Sequence, residues 1–167
     1  MAGGSWLLAG LLAVSPTIAA QTDFQGYAME TDGAAEAPRL LRVLGKRYGI
    51  PGTPAQVVGR AQACLSRADS GAGVISVDPG GGRLVAIGRV PYRQQALGGV
   101  VRGRLTLEAR DGGFGVVVSD LAIASDAAAD PMDLVFLPLV QDRDSAWEPA
   151  LAALIGVEEA LVRCMFG

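Results

Sequence analysis

The sequence predicts an α+β domain, a four-stranded antiparallel meander with two helices packed on one face. Three observations predict it. Two amphipathic helical stretches, 54–68 and 145–165, flank the middle of the chain. Between them, from Val74 to Ile123, β-branched residues dominate and are punctuated by Gly or Asp-Gly clusters at intervals of about 8 to 16 residues. One of the strands alternates cleanly, so one side of the sheet is dry and the other wet.

The chain opens with a leader. Trp6 to Val14 is an uncharged apolar run, about half of the ~20 residues a transmembrane helix needs. Ser15 to Ala20 follows with Pro16 and small residues at Ala19 and Ala20, the pattern of a secretory signal peptide over residues 1–20. No Lys or Arg precedes Trp6, so the terminal amine is the segment's one positive charge. Cleavage after Ala20 leaves Gln21 first and no Cys to acylate, so the mature chain is expected in the periplasm or outside the cell without a lipid anchor.

About 147 residues remain, enough for one domain with its own core. Residues 21–49 show little organisation. Thr31 to Pro38 reads as a loop, and Leu40 to Val43 begins a short helix or strand that Gly45 and Gly49 interrupt. The α+β domain is expected over residues 50–167.

Thr53, Pro54 and Gln56 form a capping box with proline at the first helical position, opening a helix to about Ala68. Val57, Ala61, Cys64 and Ala68 share one stripe with Val58 and Leu65 beside it, which turns Cys64 inward. Strands are expected at Val74–Val77 and Leu84–Tyr92 around the Pro79 and Gly80–Gly82 turn, and at Val100–Ala109 and Phe114–Ile123 around Asp111-Gly112. In the third strand Val101, Gly103, Leu105, Leu107 and Ala109 oppose Arg102, Arg104, Thr106 and Glu108. The fourth carries apolar residues on both sides, which implies a bulge or partial cover of its outer face. Met132 to Leu139 adds a short strand or packs on the sheet edge. Ser145 with Glu148 reads as a second capping box, opening a helix to about Met165 with a stripe of Trp147, Leu151, Leu154, Leu161 and Met165 that Glu158 interrupts.

Two cysteines pair in one way only. In an exported chain Cys64–Cys164 is the expected disulfide, tying the first helix to the last. The alternative is two buried thiols packing as small hydrophobes.

Ala63-Cys64-Leu65 in the first helix, Gly82-Arg83-Leu84-Val85-Ala86-Ile87-Gly88 in the second strand, Arg104 to Gly112 across the tight hairpin, and Val118-Ser119-Asp120-Leu121 in the fourth strand carry a resemblance. Helix, four-stranded meander, helix, behind a signal peptide, resembles a bacterial family of secreted domains of unknown function with a predicted TATA-binding-protein-like fold. The resemblance spans roughly residues 50–165. It implies a single copy of that fold and no nucleic-acid binding, because the TATA-binding protein reads DNA through a large, positively charged concave sheet with aromatic wedges. Aromatics are few here, and the formal charge is −3 with acids and bases interspersed.

The chain has no histidine, which excludes Ser-His-Asp and Cys-His catalysis and the common zinc sites. Two cysteines are too few for a thiolate-only zinc site, and Lys46, the single lysine, sits in a poorly organised region. No cofactor and no metal is expected. Carboxylates remain, but Glu108 reads as an outward strand residue, Asp120 as a turn or edge residue bonding local backbone, and Glu158 as a side chain reaching solvent at the helix margin. Gly80–Gly82 lies between two strands and so is a turn, not a phosphate cradle.

The remaining candidate is the wet face, where Arg89, Arg102 and Arg104 gather across adjacent strands to grip a carboxylate or phosphate. The expectation is an exported, non-catalytic binding or accessory domain of the bacterial envelope, its partner an envelope protein or a small anionic ligand. The alternatives are a carboxylate-dependent hydrolase and a structural accessory without a ligand.

Overall fold

A computed structural model describes residues 20–34, 36–94, 97–125 and 134–167. The expected signal peptide lies outside the described residues except for Ala20, where the first strand begins.

The strands are β1 (Ala20–Phe24), β2 (Tyr27–Thr31), β3 (Leu40–Gly49), β4 (Ala72–Asp78), β5 (Arg83–Gln94), β6 (Leu97–Arg110), β7 (Gly113–Ser125) and β8 (Leu137–Pro138). The helices are α1 (Pro54–Leu65) and α2 (Trp147–Phe166). All pairings are antiparallel, in the order β1-β2-β3-β7-β6-β5-β4, with β8 beside the end of β7. The expected meander is present as β4 to β7, but a four-stranded sheet is too small. Residues 20–49 supply β1, β2 and β3, which extend the same sheet beyond β7.

Gly45 does not interrupt β3. A side chain there would lie 2.5 Å from both Glu158 Oε1 and the Val116 carbonyl, so glycine is what lets α2 approach the strand.

Both helices cover one face. Val57, Val58, Ala61 and Leu65 of α1 join Leu151, Leu154, Ile155, Leu161 and Met165 of α2 in one core with Leu84, Val101, Leu105, Leu107, Val116 and Val118. Gly88 of β5 and Gly103 of β6 are register partners, and a Cβ on either would lie within about 3.2 Å of the Leu154 methyls. This glycine pair is the seat into which α2 inserts Leu154.

The Thr53–Gln56 capping box forms as expected, with the Gln56 amide donating to Thr53 Oγ1 at 3.3 Å and the Thr53 amide to Gln56 Oε1 at 2.9 Å. The helix stops at Leu65 rather than Ala68. The Ser70 hydroxyl accepts from the Ala72 amide, and Gly71, at φ +69°, turns the chain into β4. The second capping box is absent. Ala146 caps α2 without a side-chain bond, while the Ser145 hydroxyl lies 2.9 Å from the Val140 carbonyl and holds the preceding loop.

The fourth meander strand, β7, resolves its double-sided apolar pattern through a bulge. Register shifts between Arg102 and Arg104, opposite Asp120 at φ +53°. The inserted residue changes the phase, so Val116 and Val118 before it and Leu121 after it all reach the same core.

Candidate functional site

On the face opposite the helices, register aligns a row across four strands. Arg89 of β5 faces Arg102 of β6, Arg102 faces Ala122 of β7, and Ala122 faces Pro138 of β8. Like charges directly opposite each other destabilise a ladder. Here one ring lies against both: the Phe136 centroid is 5.1 Å from Arg89 Cζ and 4.5 Å from Arg102 Cζ. The ring's negative face attracts both guanidiniums and offsets part of the repulsion.

Arg104 is placed two residues along the strand, opposite Ile87. Its Nε is 3.2 Å from Asp120 Oδ2, so its charge is already met. Asp120, expected to bond local backbone, is instead the bulge residue, and its carboxylate pairs with Arg104. Aspartate tolerates the left-handed backbone that the bulge requires.

These side chains line an open groove of about 760 Å³, together with Arg39, Gly73, Gly103 and Leu121. Arg39 enters from the start of β3, where it bridges to Val140. Among the described residues no carboxylate forms an ion pair with Arg39, Arg89 or Arg102, and Asp120 is the one acid in the lining. Of the three arginines expected from sequence, the structure thus groups two that have no ion pair among the described residues and sets the third against an acid. Arg39 and Phe136 were missed. Phe136 lies within the apolar run Met132–Leu139, which predicts a short strand or edge cover and carries no binding signal; nothing local marks Arg39.

The perturbed carboxylate is elsewhere. Glu158 is 0 % exposed, contrary to the expectation that it reaches solvent, because Gly45 leaves space for it beneath β3. Its Oε1 accepts from the Tyr48 hydroxyl at 3.1 Å, while its Oε2 is buried without a hydrogen-bond partner. Loss of water pushes its pKa up to about 7, despite the Tyr48 bond and the Lys46 backbone and ammonium, which favour the charged form. Burial and the nearby Glu158 also raise the Tyr48 and Tyr27 hydroxyls. Glu108 is an exposed strand residue as expected, with Arg110 Nη2 4.0 Å away.

Cys64 and Cys164 are disulfide-bonded, with Cα atoms 5.9 Å apart, and join the end of α1 to the end of α2. Gly80–Gly82 is a turn between β4 and β5, where the Gly82 amide donates to the Pro79 carbonyl at 3.3 Å.

No family model matches the chain, and no curated protein matches it in sequence. Two solved structures match in shape. A TBP-like protein from Parabacteroides distasonis superposes with a TM-score of 0.57 at 9 % identity, covering 75 % of this chain and 94 % of that one. The fold is TATA-binding-protein-like. A DUF4468 family protein from Bacteroides ovatus superposes with a TM-score of 0.51 at 14 % identity, covering 75 % of this chain and 86 % of that one. At such identities the shared property of these TBP-like chains is the fold. The large antiparallel sheet with two helices agrees with the resemblance read from the motifs.

Proposed function

We propose that this chain is an exported, non-catalytic binding module of the bacterial envelope that captures an anionic group on its open sheet face. One observation carries the reading: Arg89 and Arg102 stand opposite each other against Phe136, without an acidic partner among the described residues, while Arg104 beside them has one. Surface arginines that serve solubility alone gain from interspersed acids. Two guanidiniums side by side are suited to grip a carboxylate or phosphate in two-point fashion.

A carboxylate-dependent hydrolase of the acid–base type uses two carboxylates converging on a cleft. The groove lining holds Asp120, which is paired with Arg104, and Glu158 is sealed under the opposite face. The Cys64–Cys164 bond supports export, since such bonds persist in oxidising compartments. Among the described residues no helix is long and apolar enough to cross a membrane.

The test is titration of glutarate into the protein, followed by calorimetry or amide shifts. Arg89→Ala with Arg102→Ala is expected to weaken binding by at least about tenfold, and Arg104→Ala less, because Arg104 is already engaged. Equal binding by the wild type and the double variant overturns the proposal.

A further inference from the structure

We infer that the occupant of the groove is an acidic, partly apolar segment of another protein, lying extended across the strands. This rests on the anion-binding reading above and names its ligand. The Arg89–Arg102–Ala122–Pro138 row crosses three inter-strand gaps, about 14 Å at the usual spacing of ~4.8 Å. That length matches four or five residues of extended chain at ~3.3 Å each.

The relief of the row fits a chain rather than a compact molecule. Beyond the two arginines the row drops to Ala122 and Pro138, and Gly73 and Gly103 also line the groove, so it stays open along its length. Small-molecule sites enclose most of their ligand. Cations flank the groove, Arg89 and Arg102 on β5 and β6 at one end and Arg39, which bridges to Val140, at the other, while Phe136 and Pro138 supply apolar lining. An acidic side chain beside an apolar one meets both features. A polynucleotide does not: three cations that have no ion pair among the described residues, around Asp120 and on a chain of net charge −3, neutralise few phosphates.

The probe is a fluorescein-labelled hexapeptide with a Glu-Val-Glu core, measured by anisotropy against its Gln-Val-Gln counterpart and against glutarate as competitor. The acidic peptide is expected to bind at least about tenfold more tightly than either, with the gain lost in Arg102→Ala and in Phe136→Ala. The Arg39→Ala variant, at an exposed position outside the sheet ladder's centre, is expected to weaken it as well and guards against a folding defect in the others. Glutarate binding as tightly as the peptide, with the same arginine dependence, overturns the peptide inference and leaves the anion reading standing. Binding of neither to the wild type overturns both. Equal binding of the Glu and Gln peptides also overturns the inference, since the contact would then not be ionic.

Discussion

Glu158 makes the stability of this fold depend on pH in a direction opposite to that of most carboxylates. In the folded chain its pKa stands at about 7, against 4.5 for the ordinary side chain. The folded state therefore holds its proton more tightly than the unfolded state does. The stabilisation is complete below pH ~4.5 and is lost as pH rises through ~7. At about 1.4 kcal/mol per pKa unit, the difference is on the order of 3 kcal/mol, most of it lost between pH 5 and pH 7. The observable is the difference between the wild type and Glu158→Gln, in which every contribution the two chains share cancels. Glutamine keeps an acceptor for the Tyr48 hydroxyl and cannot ionise. Urea unfolding at half-unit steps from pH 4.5 to 8.5 is expected to show the wild type losing roughly 2–3 kcal/mol relative to the variant as pH rises. A pH-independent difference, or a wild type that gains on the variant toward alkaline pH, refutes the reasoning.

Two further outcomes follow from the packing around α1 and α2. Gly45→Ala places a methyl 2.5 Å from Glu158 Oε1 and from the Val116 carbonyl, so β3 and α2 must separate. A loss of about 1–3 kcal/mol is expected in urea unfolding, and an unchanged midpoint contradicts the close approach. The disulfide closes a loop with a sequence separation of 100, worth up to ~5 kcal/mol on the chain-entropy model. Reductant, or the Cys64→Ser and Cys164→Ser pair, is expected to lower the unfolding midpoint substantially; no shift indicates that the helix ends stay docked without the bond.

What could be read from the sequence was what short-range chemistry determines. Thr53 and Gln56 announce the start of α1 because both partners of the box lie within one turn, and Asp111-Gly112 announces its hairpin for the same reason. The alternation of β6 was readable because helices cover one of its faces and leave the other wet. The β1–β2 hairpin escaped notice for a specific cause. Its turn places Gln25 at φ +55° and Gly26 at φ +80°, the conformation usually marked by Asn-Gly or Asp-Gly, and glutamine hides that signal. Gly45 looks like a breaker until Glu158, more than a hundred positions later, is seen to need the space. Glu158 did leave a trace, since it falls on the spacing of Leu151, Leu154, Leu161 and Met165; a charge inside an apolar stripe signals a buried partner as readily as a solvated margin. Of the site, the arginine pair was visible because register follows from alternation, whereas Arg39 and Phe136 arrive from segments whose placement depends on the whole sheet.

A perturbed pKa is often a pointer to an active site, and here it points away from the groove. Glu158 and the arginine row occupy opposite sides of one sheet: Glu158 lies against Gly45 of β3, whereas Gly88 and Gly103, against which Leu154 packs, are each the chain neighbour of an arginine in the row. The backbone that seats Leu154 on the inside thus carries Arg89 and Arg102 on the outside. Any substitution that unseats α2 disturbs the spacing of both guanidiniums, and lost binding in such a variant reports on the fold before it reports on recognition. Substitutions at Arg89, Arg102 or Phe136 leave the glycine seat intact. They separate the two properties: binding that falls while the urea midpoint and its pH dependence hold assigns recognition to the outer face, and a parallel fall in both returns the row to a structural role.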